Sequence, residues 1–289
     1  MDMIAIQLVN GLSYGLLLFL ITSGLSLIFG MLGVLNLAHG SLYMVGAYLA
    51  LTITRNVSGD FVTALLVAPV LVALLCLLLE VGLLRPTYRL DHLSQVLLTF
   101  GLAYMLHDLV RWIWGSNVQS LPLPIGLSGS VELFGQTFPL YRLLVMAGGF
   151  AIALIMWLLQ EKTRWGAIIR AGLSNKEMVS GLGINIKLVY TIVFAVGGLL
   201  AGLGGVAAAP ILGLSPGMEF EILILSLVIL VVGGLGSITG TLVASIVVGL
   251  VETFGKVMFP QLSLIIIFGF MAVVLLVKPT GLLGKQVSG

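Results

Sequence analysis

The chain has 289 residues, 60% hydrophobic and 8% charged, with a mean hydropathy of +1.22. Soluble domains carry about a quarter charged residues, and a soluble fold of this size has nowhere to hide so much apolar surface, so the chain reads as an integral membrane protein. A net charge of +2 without basic runs excludes a nucleic-acid partner, and the lone Cys76 excludes an intrachain disulfide or a two-cysteine metal site.

A helix needs about 20 apolar residues to cross the hydrocarbon core, and the runs here are too long and too uniform for barrel strands. The first run, 4–30, follows Asp2 with no Lys or Arg before it, unlike the basic start of a signal peptide. Runs at 36–54, 61–84, 93–114, 140–160 and 188–209 come next, then two shorter ones at 221–236 and 240–256, and a last at 262–277. The expectation is an all-α polytopic membrane protein, a helical bundle of about nine transmembrane segments. The count stays open between eight and ten, because Gly233, Gly234, Gly236 and Gly240 interrupt 221–256. That region is two spans, a re-entrant pair or one kinked helix.

With the N-terminus outside, nine crossings put Arg85, Arg89, Lys162, Arg164, Arg170, Lys176, Lys187, Lys278 and Lys285 on one side. The other side receives Arg55, Arg111, Arg142 and Lys256. The positive-inside rule makes the first side the cytoplasm and places the C-terminus there.

Polar residues within spans are few and informative. Asn36, His39 and Tyr43 have the three- and four-residue spacing of one helix face. They line a path or gate, or they hydrogen-bond between helices. Glu80 reaches either Arg85 or a partner surface. Asp108 and Arg111, beside His107, have the spacing of an ion pair, as do Glu252 and Lys256. Gly11 with Gly15, Gly198 with Gly202, and Gly236 with Gly240 suit close helix packing, within this chain or against another. Gly233, Gly234 and Gly236 are also candidates for a broken helix beside a path. The connector 115–139 is rich in Pro and Gly and is either passive or a docking platform; Asp60, Glu132, Glu219 and Glu221 are candidate acidic contacts there.

The connector 161–187 is the most charged part of the chain, and its period puts Trp165, Ile168, Ile169 and Gly172 on one face of a helix. Ser174 or Asn175 is placed to cap a second short helix, with Glu177 in its first turn and Gly181 and Gly183 at its end. This predicts a short amphipathic helical element outside the membrane, resting in the headgroup layer or docked on a soluble partner.

Three stretches carry a resemblance that runs along nearly the whole chain: Gly24-Leu-Ser-Leu-Ile-Phe-Gly-Met-Leu-Gly-Val-Leu-Asn-Leu-Ala-His-Gly40; Thr163-Arg-Trp-Gly166 with Arg170-Ala-Gly, Asn175, Met178 and Gly181-Leu-Gly-Ile-Asn185; and Gly233-Gly-Leu-Gly-Ser-Ile-Thr-Gly-Thr241. In order and spacing these resemble the branched-chain amino acid permeases of ABC importers, the LivH type. The resemblance implies a type II-like ABC importer permease, one transmembrane domain over 1–289, with 161–187 as its coupling-helix loop. It makes Arg164, Trp165, Gly166, Arg170, Ala171, Asn175, Met178, Gly181 and Gly183 the residues that meet an ATPase. It also implies a second, homologous permease, two cytoplasmic ATPases that bind ATP and Mg, and a periplasmic substrate-binding protein, in a bacterial inner membrane.

The chain has no G-x-x-x-x-G-K-[ST] phosphate loop; Gly281-Leu-Leu-Gly-Lys285 comes nearest, with the wrong spacing and Gln286 after the Lys. No catalytic residue, metal site or bound cofactor is expected on it. A secondary transporter or channel is the main alternative and would need deep ion-coupling charges or inverted repeats. An intramembrane enzyme would need a nucleophile and base, or metal ligands, within spans. Related permeases for urea, amides or aromatic acids leave the substrate open.

Overall fold

The computed structural model describes residues 2–57, 60–123, 126–174 and 176–284. Asn175 and Lys285 therefore lie outside the described residues. Helix α1 (Asp2–Leu32) stops at Gly33, whose φ of +73° breaks the α-helical backbone. Residues 33–38 then run non-helically back into the bundle, and α2 (His39–Thr52) starts level with Ile21 and Gly24 of α1. Helix α3 (Phe61–Leu79) opens on Asp60, whose carboxylate accepts from Thr63 N, and continues through a π turn and a 3₁₀ turn to Arg89. Asp91 caps α4 (His92–Trp114) the same way through Ser94 N, and Gly115 ends it at φ +83°.

The outer connector is more ordered than its composition suggests. Strands β1 (Ser130–Leu133) and β2 (Gln136–Pro139) pair antiparallel, with Leu133 opposite Gln136. The two residues between them, Phe134 and Gly135, both have positive φ, as a tight primed turn demands.

Then come α5 (Leu140–Lys162), α6 (Arg164–Ser174), α7 (Lys176–Gly181) and α8 (Ile186–Leu212). The chain closes with α9 (Met218–Gly233), α10 (Ile238–Met258) and α11 (Ser263–Val277). The region 221–256 is thus two antiparallel helices joined by a turn at 234–237, with Ser237 capping α10 through Gly240 N. A single kinked helix is ruled out because Gly234 and Gly236 both take positive φ and reverse the chain.

Seven helices are long and apolar enough to cross a membrane, among the described residues. Of the nine expected spans, the two that fall short are α2, of 14 residues, and α9, of 16. Helix α2 is walled in by protein, and α9 is mostly so, with Glu221 and Ile224 exposed. Gly40 of α2 lies against the Glu219 carbonyl of α9, and Gly46 lies against Gly202 of α8. A helix shielded from lipid need not match the bilayer thickness, and irregular backbone before it is tolerated because protein surrounds it.

Helix α1 is the axis of the bundle: its most apolar window is 94% buried, against 11% for the window that ends in α11. Glycines set its contacts. A Cβ on Gly249 of α10 would stand 2.5 Å from Gly15 Cα, and Gly24 faces the Gly197 carbonyl of α8. Gly198 faces Cys76 and Val72 of α3, so Cys76 is a buried packing residue. Each G-x-x-x-G pair therefore packs inside this chain.

The helices alternate between two ends. One end gathers the start of α1, the ends of α2, α4, α8 and α10, and the hairpin; Arg55 bonds Gln119, and Gln119 pairs with Leu214 there. The opposite end gathers α6, α7, the 234–237 turn and residues 278–284, with Gly172 against Met31 and Leu282 N donating to Val232 O.

Candidate functional site

Helices α6 and α7 project from one end of the bundle, where the sequence places an extramembrane element. Thr163 starts α6: its hydroxyl accepts from Gly166 N at 3.2 Å. Gly166 is buried against the backbone of Gln160, where a Cβ would collide, so the chain turns sharply from α5 into α6. The Arg170 guanidinium closes the same corner by donating to the Gln160 carbonyl, with Glu161 at 3.9 Å. Gly172 seats α6 on Met31 of α1. The inward face is therefore Gly166, Ile168, Ile169 and Gly172. Trp165 is a correction to the expected face: it is 48% exposed and points away from the bundle.

Trp165 has company. Met178 on α7 is 66% exposed and Leu182 just beyond it 72%. Arg164 and Ala171 are exposed on α6. Helix α7 ends at Gly181, Gly183 takes φ +82°, and Asn185 then caps α8 by accepting from Leu188 N at 3.2 Å. Gly183 and Asn185 serve to join α7 to α8, whereas a Cβ on Gly181 would meet open space. Helices α6 and α7 thus present exposed large apolar side chains beyond the bundle.

Directly behind that junction lies a polar node. Glu80 is fully buried and accepts from Arg85 Nη2 at 2.9 Å, from the Tyr88 hydroxyl at 3.1 Å and from the Thr191 hydroxyl at 2.7 Å. Arg85 also donates to Thr191. The node ties α3 to α8 about two turns beyond the Asn185 cap. Spacing identifies the Arg85 partner; nothing local announces Thr191.

The path candidates sit in packing contacts at two separate places. Asn36 is not on the helix face of His39 and Tyr43, because α2 begins at His39; its carboxamide instead accepts from Ala38 N at 3.1 Å and shapes the irregular segment. His39 Nε2 donates to the Ile21 carbonyl at 2.8 Å, and Tyr43 is buried against α8 at Gly205. Thr99 of α4 accepts from Leu37 N. Gly233 packs on Gly240, Gly236 on Gly30, and Gly234 on Gly284, at the α6–α7 end.

Two ion-pair expectations at the hairpin end part ways. Lys256 and Glu252 pair at 2.6 Å. Arg111 turns to the Ser116 hydroxyl at 3.4 Å, which draws it from Asp108. Its neighbour His107 meets Glu219 of α9, and Glu219 also accepts from Gly217 N at 2.9 Å. Glu219 is 1% exposed, so it is removed from the candidate surface contacts. It is a helix-start carboxylate, where the α9 dipole favours negative charge.

A bundle of apolar helices around buried short ones, with an amphipathic pair at one end, defines a multi-pass helical membrane protein. Its family follows from comparison: residues 7–275 match the family described as branched-chain amino acid transport system / permease component, and the chain belongs to that family. It is 28% identical, over 96% of this chain and 95% of the relative, to the high-affinity branched-chain amino acid transport system permease protein BraD of Pseudomonas aeruginosa. It is 27% identical, at the same coverage, to LivH of Escherichia coli, a permease of the same description. A probable branched-chain amino acid transport permease LivH of Methanocaldococcus jannaschii is 26% identical over 94% of this chain and 90% of that one. The fold is shared with PsaBC from Streptococcus pneumoniae in complex with Fab, with a TM-score of 0.50 over 93% of this chain and 89% of that chain at 12% identity.

Proposed function

We propose that this chain is the permease subunit of an ATP-driven ABC importer for branched-chain or related hydrophobic amino acids. It forms the translocation path with a second, homologous permease. Two ATPases, which hold ATP and Mg, dock on α6 and α7 through Trp165, Met178 and the exposed residues around them. A substrate-binding protein delivers solute at the hairpin end. The chain sits in the inner membrane with its N-terminus outside and its C-terminus in the cytoplasm. Asn36, His39, Tyr43 and Gly233, Gly234 and Gly236 line or gate the path when the bundle opens.

The observation that carries this reading is the exposed apolar cluster on α6 and α7, fixed to the bundle by Gly166, Arg170 and Gly172. Family membership and relatives matched along almost their whole length support it. Movement imposed on α6 passes to α1 at Met31, and movement of the α7–α8 junction passes to the Glu80 node. The test is purification of the assembled system and uptake into proteoliposomes. Radiolabelled leucine should accumulate only with ATP inside and binding protein outside. The double variant W165A/M178A should insert normally yet lose the ATPase. Accumulation without nucleotide would favour a secondary transporter instead.

A further inference from the structure

A cavity of about 290 Å³ lies at the hairpin end, between α1, α5, α8 and α10. In a chain that is only 8% charged, it gathers Arg142, Glu252 and Lys256. Gln7, Asn10, Ser13, Tyr14 and Thr253 add neutral polar groups, with Tyr14 beside Glu252. The rest of the lining is aliphatic and includes Leu17, Ile211 and Val257.

The charged groups are only partly used. The Glu252 side chain is 5% exposed. One of its oxygens accepts from Lys256 at 2.6 Å, while Oε2 is buried without a hydrogen-bond partner among the described residues. A buried carboxylate oxygen left unpaired is costly and is a position where a donor from a ligand would be favourable. Arg142 donates through Nη1 to Asn10 Oδ1 at 2.6 Å, which leaves most of its N–H donors unengaged. Lys256, at the rim, is 60% exposed.

We propose that this cavity is a binding site for the zwitterion of an aliphatic α-amino acid. Glu252 Oε2 accepts from the ammonium group, Arg142 donates to the carboxylate, and the Leu17, Ile211 and Val257 wall takes the side chain. Two cations and one anion line the cavity, so a solute carrying one charge of each sign fits better than an amine. The inference rests on the transport reading for its choice of probe, and its position at the mouth suits a solute entering from the hairpin end.

The assembled complex in phosphatidylcholine nanodiscs, without binding protein or nucleotide, is titrated with radiolabelled L-leucine. Saturable binding is expected, competed by isoleucine and valine but not by isoamylamine or 4-methylpentanoate, which each lack one charge. E252Q and R142Q should each weaken it about tenfold or more. I211W, which keeps every charge and fills the wall, should weaken it as much. It also carries the test if a charge variant fails to assemble. Absence of saturable binding, or binding indifferent to all three substitutions, overturns the proposal. Loss of leucine binding when phosphatidylethanolamine replaces phosphatidylcholine also overturns it and gives the cavity to a lipid headgroup. ATP-driven uptake by the wild type with an unchanged leucine KM in all three variants refutes this site alone, whereas absent uptake refutes the transport reading.

Discussion

Glycine spacing in a membrane chain is legible, but which glycines matter is decided by neighbours. Gly198 and Gly101 are both helical, yet a Cβ on Gly198 meets Cys76 and Val72, while Gly101 has open space. G198A should lower stability by about 1–3 kcal/mol through overpacking. G101A should be neutral or slightly stabilising, since Ala is the better helix former by about 1 kcal/mol. Thermal unfolding of the purified protein in one detergent compares them directly. Equal shifts would remove the packing account. The same dependence on neighbours explains what single residues conceal. Nothing near Glu80 in sequence points to Thr191, and nothing near Glu219 points to His107, because both contacts cross between helices far apart in the chain.

At the scale of elements, the long apolar runs and the charged connector follow from hydropathy and period alone. The missed features are short and locally encoded. The hairpin at 130–139 escapes because its strands are four residues each and its turn lacks the usual Asn-Gly pair. Phe134 holds φ +53° at that turn and is exposed, which costs about 1–2 kcal/mol for a residue with a Cβ. F134N should relieve part of this, read as slower amide exchange across Val131–Thr137. Helix α6 depends on its Thr163 cap. T163A should cost about 1 kcal/mol of local helix stability. Faster exchange over 164–174 with an unchanged bundle would show it; unchanged exchange would mean that Gly166 and Arg170 hold the corner unaided. The amphipathic period of this loop was readable, yet Trp165 faces outward because Gly166 and Gly172 let the backbone itself lie on the bundle.

For the whole molecule, charge asymmetry and helix order agree. The described Lys and Arg of the larger set fall in connectors at the α6–α7 end, and the smaller set falls at the hairpin end. The lone Cys76 is buried and makes a quiet background for labelling. In intact spheroplasts a membrane-impermeant maleimide should modify T137C and spare S180C; the reverse would invert the assigned orientation. Hydropathy finds α2 and α9 as apolar runs but does not reveal that both are short or that α2 starts deep in the bundle, level with Ile21.

The burial of α2 has a consequence for synthesis. Part of its wall is α3 and α4, but the rest is α8 and α9, which leave the ribosome long after it does. In a nascent chain holding only α1 to α4, His39 and Ser41 already have partners at the Ile21 and Ala103 carbonyls, while Gly40, Tyr43 and Gly46 lack the helices that cover them. The faces of α2 that meet α8 and α9 stay bare until the C-terminal half arrives. The centre of the bundle is therefore expected to complete its packing last, and a chain truncated after α4 to leave α2 half-packed.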